Sequence, residues 1–436
     1  MTKKSASSSA SSAVGSGSSW VMTAIMVAIL GSALAAHFGF QGRVTTIGVD
    51  LGTTFSVVGL SRNGKVEIVT DKDGHRIFPS VISYQPGGEI LSAYAALKRL
   101  SDDPLNTIFN SKRFIGRNLD DEQVDLYGKA HPFKVTRIND TISAFGKVGF
   151  ELSSSATGHV SPIAPESVGA RVLTHLLAVT AEYLGHKEVN KAIITVPAKF
   201  TAEQRQATGA AYKAAGLKVI RVIEEPTAAA VAYQLHKKSN IQHILVYDFG
   251  GGTLDVSILY VHKGSVQVYA TDGDETLGGS DFDLCLTKYL SNKVQVNAGR
   301  DIVQSGEVLE GDGMKSEECT LPSIRVMAEE IKKDLSSREV SEFSCKMPDT
   351  NVSFDVTREE FQSVCLPLFE RGMLPVTRLL EELEMDKEDI DEIVLVGGTT
   401  RVPYVKQQLK KYFGKDLNDH IDPDVTVAYG AASIMD

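Results

Sequence analysis

Residues 244–259 read ILVYDFGGGTLDVSIL. An apolar, β-favouring run, Ile244 to Tyr247, delivers a carboxylate, Asp248, to three consecutive glycines, Gly250, Gly251 and Gly252, and then Thr253. A second apolar run, Val256 to Leu259, returns after Asp255. The pattern reads as a β-hairpin closed by a glycine turn. Without Cβ atoms, the backbone N–H groups of such a turn can approach an anion and form a nest around it. A carboxylate beside bound phosphate calls for a cation between them, so Asp248 points to Mg²⁺. A plain hairpin with a flexible turn is the other reading of these residues alone.

Residues 47–60, IGVDLGTTFSVVGL, repeat the pattern in weaker form. Asp50 ends an apolar run, Gly52, Thr53 and Thr54 make the turn, and a second apolar run follows. Two Asp–Gly–Thr hairpins in one chain suggest two similar lobes facing a shared phosphate. A third strand-to-glycine turn occurs in residues 393–401, IVLVGGTTR, where glycines would let a flat ligand lie against the backbone.

The chain has 436 residues, 42% of them hydrophobic, enough for a large core and more than one domain. Its net charge of −10 argues against nucleic acid as a partner, because phosphate backbones demand basic surface. The cysteines, Cys285, Cys319, Cys345 and Cys365, include no CxxC pair, so a zinc site or thioredoxin motif is not expected. Scattered structural or surface thiols are the simpler reading, and spacing alone does not give a pairing.

Met1 to Ser19 is Ser/Ala/Gly-rich and is expected to be disordered. Trp20 to Phe40 lacks Asp, Glu, Lys and Arg, and its apolar heart runs into Ala33-Leu34-Ala35, a small-x-small pattern. This reads as a secretory signal or, close behind, an uncleaved membrane anchor; a buried helix is the alternative. On translocation, Asn139-Asp140-Thr141 and Asn351-Val352-Ser353 would be candidate glycosylation acceptors.

From Val44 the pattern is mixed α/β. Thr46 to Val49, Phe55 to Leu60, Val66 to Thr70, Pro79 to Tyr84, Lys191 to Pro197 and Val219 to Ile223 read as strands. Asn106 to Gly116 has a helix-like pattern carrying the basic pair Lys112 and Arg113, which alone suggests a solvated face. Pro165 to Leu184 is an amphipathic helix, and Thr201 to Gln204 carries a capping signature for a helix that Gly216 stops. Pro226 suits a first helical position, and Glu225 beside it is either a dipole-matched cap or a group that orients a water. Ala298 to Ser323 reads as a mobile acidic insertion, Arg325 to Ser337 as a charged helix, and Ser353 to Val356 as an edge strand. Thr357 begins a helix reaching towards Leu383.

Together the segments IGVDLGTTFS, NTIFNSKRFIGR, TVPAKFTAEQRQAT, EEPTAAAVAY, YDFGGGTLDVSIL, LGGSDFD, VGGTTRVP and DPDVTVAYGAA resemble the ATPase domain of the DnaK-type heat-shock chaperones, within the actin and sugar-kinase superfamily. The resemblance covers about residues 44–434. It implies an α/β, two-lobed actin-like ATPase fold with a nucleotide cleft between the lobes. Lobe I would take residues 44–235 and 390–436, lobe II residues 236–389. It also implies ATP/ADP and Mg²⁺ as ligands, hydrolysis of ATP, a monomer, and co-chaperones or nucleotide-exchange factors as partners. Asp50 and Asp248 would hold Mg²⁺, largely through water. Gly52, Thr53, Thr54 and Gly250 to Thr253 would cradle the β- and γ-phosphates. Lys112 would stabilise charge on the transferring phosphoryl group, with Asp248, Glu225 and Asp255 arranging water and protons. Gly397, Gly398, Thr399, Arg401 and Asp424 would border the adenosine, clamped from the other lobe by Glu329, Lys332, Lys333 and Ser336.

Departures stand out. Lys333 replaces an Arg usual in the family, and an ammonium stacks on adenine less well than a guanidinium. Phe55 replaces a Tyr, Leu254 a Phe, and Thr399 a Ser. No peptide-binding domain is expected, so peptide binding does not carry over. The N-terminal segment would place the domain in the endoplasmic reticulum lumen or at the microsomal membrane. Two rival functions are a nucleotide-gated binding module with negligible turnover and a small-molecule kinase of the same superfamily.

Overall fold

The computed structural model describes residues 17–37, 43–139, 143–153, 162–298, 318–347 and 350–435. Most of the polar N-terminal segment, the Asn139 triplet beyond its first residue and the heart of the acidic insertion, 299–317, lie outside the described residues.

Gly17–His37 is a helix whose described side chains, at 20–32, are all exposed, Trp20, Met22, Ile25, Met26 and Leu30 among them. Among the described residues no helix is long and apolar enough to cross a membrane. The body of the chain, Val44–Ser61 and Val66 onward, is a separate compact unit.

Two sheets of the same construction organise that body. In the first the strand order is Lys218–Glu224, Lys191–Val196, Thr46–Leu51, Phe55–Arg62, Lys65–Ile68. In the second it is Glu392–Val396, His243–Phe249, Leu254–His262, Ser265–Asp274. Each central strand pairs antiparallel with its own hairpin return and parallel with a strand that comes much later. Asp50 and Asp248 occupy the equivalent place near the end of the central strand, opposite Val57 and Asp255. The duplicated hairpin of the sequence is therefore a duplicated sheet. The central strands are buried on both faces (Ile47, Gly48 and Val49; Leu245, Val246 and Tyr247), as parallel strands covered by helices require.

The helices follow local signals. Pro165–Leu184 has its proline in the first turn and ends at Gly185, φ 72°. Ala202–Ala214 opens with a capping box between Thr201 and Gln204. These two pack together and contribute Val168, Leu173, Leu176 and Tyr212 to the first core. Glu225–Ala232 and Thr426–Ser433 join Ile193 and Ile223 of the first sheet to Ile244, Val246 and Val394 of the second, a third core shared by both lobes.

Several expectations need correction. Glu392–Val396 and the helix Pro403–Phe413, assigned from sequence to lobe I, belong to lobe II. The strand hydrogen-bonds to His243–Phe249, and Val405, Leu409 and Phe413 join the second core. A parallel fourth strand needs a long crossover, so chain order misleads here. Residues 106–116 are not a helix but a short strand, Thr107–Ile108, and a 3₁₀ turn, Ser111–Phe114, because Asn110 takes the left-handed conformation at φ 54°. Pro79 to Tyr84 is split into Phe78–Pro79 and Ile82–Tyr84. The Thr357 helix has the capping box but breaks at Cys365 into Arg358–Val364 and Leu366–Glu382. Ser353 to Val356 is the expected edge strand, part of the hairpin strand Thr350–Thr357, which pairs only with Val340–Met347 among the described residues. The charged helix spans Leu321–Leu335, with Ile324, Ala328, Ile331 and Leu335 on its buried stripe. All four cysteines are paired, Cys285 with Cys365 and Cys319 with Cys345, so none is a thiol. The second bridge and a Glu318–Lys346 pairing fix the C-terminal end of the acidic insertion.

Candidate functional site

Side chains and amides behind the two glycine turns fix their shape. The Ser80 hydroxyl and N–H donate to the Gly52 and Thr54 carbonyls, each at 2.8 Å. Across the cleft, the Gly250 carbonyl accepts from the Gly279 N–H at 3.1 Å and the Thr399 hydroxyl at 2.8 Å. The Gly251 carbonyl accepts from the Ser280 N–H at 2.8 Å, and the Gly252 carbonyl from Arg113 Nη2 at 2.7 Å. All three glycine carbonyls are thus engaged within the protein. A Cβ on Gly251 would lie 3.1 Å from Thr54 Oγ1, so the two turns almost touch, and added side-chain atoms would fill the space between them.

Charge is concentrated just beneath. Lys112 Nζ lies 2.6 Å from Glu225 Oε1, and both side chains are largely shielded from water. Glu225 is not a helix cap, since the cap position is Glu224 and has no side-chain bond. Burial, then repulsion from Glu225, pushes the Asp50 carboxyl up to about 6, opposed by Lys112 and by a 3.1 Å bond from Thr195 Oγ1. Burial and Glu225 likewise raise Asp255 to about 6, opposed by Lys199. Asp248 stands well above the carboxylate range through burial, Glu225, Asp255 and Asp50. Burial alone would lower the Lys112 ammonium, but Glu225, Asp50 and Asp248 outweigh it and raise it. Four carboxylates facing Lys112 and Lys199 leave excess negative charge. Hard oxygen donors on two facing hairpin ends fit a divalent cation such as Mg²⁺. A cavity of about 10 Å³, near the lower limit for one water, is lined by Glu225, Asp248, Asp255, Ser257 and Thr271 among others.

The other end of the site is wider. Gly397 has φ 80°, and a Cβ there would meet the Phe249 carbonyl at 2.4 Å, so only glycine lets the chain turn against the second hairpin. Gly398 abuts Asp424, whose Oδ2 accepts from Arg401 Nη2 at 2.8 Å; Arg401 also bonds Asp422. Arg401 and Ser336 line an open cavity of about 770 Å³. Lys332 Nζ is 2.6 Å from Asp283 Oδ1 and 3.0 Å from the Gly279 carbonyl. A Cβ on Gly279 would lie 2.8 Å from Thr399 Oγ1 and 3.2 Å from Lys332 Nζ, so this cluster adjoins the second glycine turn. Glu329 and Lys333 pair with each other at 2.6 Å and are the most exposed of the expected clamp.

The basic pair in residues 106–116 is no solvated face. Arg113 reaches the opposite lobe, donating to the Gly252 and Glu275 carbonyls while lying 4.8 Å from the Tyr127 ring centroid. Its one sequence signal was its place beside Lys112 in the segment NTIFNSKRFIGR. Ser80, Thr195, Lys199 and Asp283 also support the site; Thr195 and Lys199 lie in TVPAKFTAEQRQAT and Asp283 ends LGGSDFD, whereas nothing in its local sequence marks Ser80.

A family model described as Hsp70 protein matches residues 46–436. Paired Asp–Gly hairpins on duplicated sheets, facing each other across buried charge, are the core of a two-lobed actin-like chaperone ATPase, and the chain belongs to the Hsp70 family.

Proposed function

We propose that this chain binds Mg·ATP between its lobes and hydrolyses it to ADP and phosphate. The observation that carries the reading is the Lys112–Glu225 pair, set between two Asp–Gly hairpins and beside a water-sized cavity lined by Glu225, Asp248 and Asp255. The backbone N–H groups of the turns Gly52 to Thr54 and Gly250 to Thr253 hold the β- and γ-phosphates, except that of Gly250, which closes its own turn by donating to the Thr253 carbonyl at 3.0 Å. Asp50 and Asp248 would hold Mg²⁺, largely through water, and the ion would neutralise phosphate charge. Glu225 and Asp255 orient the attacking water and take its proton. Lys112 stabilises charge as it moves from attacking to leaving oxygen, so catalysis is positioning and electrostatics. Gly397, Gly398, Thr399, Arg401 and Asp424 border the adenosine, with Glu329, Lys332, Lys333 and Ser336 opposite. Single-turnover phosphate release with Mg·ATP tests this. Binding without release would instead leave a nucleotide-gated binding module.

The domain works in the endoplasmic reticulum lumen or at the microsomal membrane, with co-chaperones or exchange factors as partners. An exposed apolar helix at Gly17–His37 and two disulfides support that compartment, because disulfides persist where thiols are oxidised. The finer likeness is to the microsomal stress chaperone ATPase core, carried by the apolar N-terminal segment with PFKV at 132–135 and AEYLG at 181–185. Protease treatment of intact microsomes tests the location: digestion of the ATPase domain without detergent would refute it.

A further inference from the structure

We propose that Asn351 carries an N-linked glycan, an inference that rests on the lumenal location. The triplet Asn351-Val352-Ser353 has the acceptor pattern and no proline. Its strand, Thr350–Thr357, alternates strictly: Val352 and Val356 are buried, while Asn351, Ser353 and Asp355 face solvent. Asn351 is the second residue of the strand, and it is exposed.

An independent observation on the same hairpin points to the compartment. The register sets Asn351 opposite Lys346, Val352 opposite Cys345, and Ser353 opposite Ser344. Cys345 is bonded to Cys319. The middle residue of the acceptor triplet is therefore the cross-strand partner of a half-cystine. A chain that is oxidised at this hairpin matures where oligosaccharide transfer also takes place.

The co-reactant is an oligosaccharide linked to a polyprenyl diphosphate. Asn351 Nδ2 attacks the anomeric carbon of its first sugar. The new C–N bond replaces the C–O bond to phosphate, the lipid diphosphate leaves with the bonding pair, and the amide nitrogen loses one proton. Ser353 Oγ donates to Glu342 Oε1 at 2.9 Å in the folded hairpin, so transfer precedes pairing of the two strands. The saccharide then stands on the outward face, away from Phe343, Cys345, Val352 and Val356.

The test is translation of the full chain in the presence of microsomes, followed by protease protection and peptide-N-glycosidase treatment. On deglycosylation the protected chain should lose the mass of at least one oligosaccharide. Asn351→Gln and Ser353→Ala should each reduce that loss by one oligosaccharide, and Ser353→Thr should keep it. Both positions face solvent, so the three variants fold. A protected chain with no shift, or a shift unchanged in Asn351→Gln, overturns the glycan alone. An unprotected chain overturns both the location and the glycan.

Discussion

Lys112 is paired with Glu225, the carboxylate proposed to orient the attacking water. If Lys112 meets the γ-phosphate as proposed, phosphate oxygens must compete with Glu225 for its ammonium. A group that acts mainly in the transition state affects turnover more than affinity. Lys112→Ala should lower single-turnover hydrolysis by roughly 10²–10³-fold, the scale for one lost electrostatic stabiliser, with a much smaller change in Mg·ATP affinity by calorimetry. Asp248→Ala should weaken Mg²⁺-dependent binding as well. Parent-rate hydrolysis by Lys112→Ala would remove the residue from the chemistry. A pH prediction follows from Asp50 and Asp255, both raised to about 6. Their folded values exceed the unfolded one, so the folded state holds extra protons from about pH 4 to 6. Stability of the nucleotide-free protein should therefore fall as pH rises through that window, as far as these two groups decide it. A cation needs the ionised forms, so Mg·ATP affinity should change the opposite way, weakening below about pH 6 with protons released on binding. Calorimetry at pH 6 in two buffers of different ionisation heat measures that release, and none observed would sink the prediction.

At the scale of elements, the tightest junction is the helix Thr426–Ser433, wedged where bulk is impossible. A Cβ on Gly430 would lie 1.8 Å from the Ala228 carbonyl, one on Gly48 2.5 Å from the Ala432 nitrogen, and one on Gly59 2.7 Å from the Ala428 carbonyl. Gly430→Ala should cost about 1–3 kcal/mol or more, as overpacking does. Gly209, inside the helix Ala202–Ala214, has no atom within 4 Å of an added Cβ, so Gly209→Ala should stabilise by about 0.5–1 kcal/mol. Urea denaturation of the two variants should shift in opposite directions, and a shared sign would refute the contrast. The same elements show what the sequence could and could not say. Hairpins, capping boxes and the Pro165–Leu184 helix were readable because their signals are local: alternation, Thr with Gln three residues on, proline in the first turn. The lobe of Glu392–Val396 was not, because a parallel partner 148 residues away leaves no local trace (Val246 with Val394). Arg113 was missed for a similar reason. Its partners, the Gly252 and Glu275 carbonyls, are backbone groups of the other lobe and carry no residue-type signal.

Across the whole molecule the covalent cross-links are unevenly placed. Both lie in lobe II, and Cys319–Cys345 is nested inside the 80-residue span closed by Cys285–Cys365. Spacing could not reveal this, since four cysteines allow three pairings. The bridges join the two helices that carry the Asp283–Lys332 pair to the rest of that lobe: Cys285 sits on Gly279–Ala298, and Cys319 just precedes Leu321–Leu335. Pulled from its ends, the oxidised chain should extend about 270 Å less than the reduced chain, the contour of 80 residues at ~3.4 Å each, with no further loss from the inner bridge. Optical-trap extension with and without reductant measures the difference, and equal lengths would mean the bridges do not form. Nesting has a topological consequence for the end of the protein's life. A machine that reels a polypeptide through a narrow pore meets single file only until it reaches Cys285 or Cys365. From there the strand it holds drags a second one beside it, and deeper in, the inner loop follows doubled. Threading of this chain therefore stays in single file past the bridges only once they are reduced, whichever end is seized first.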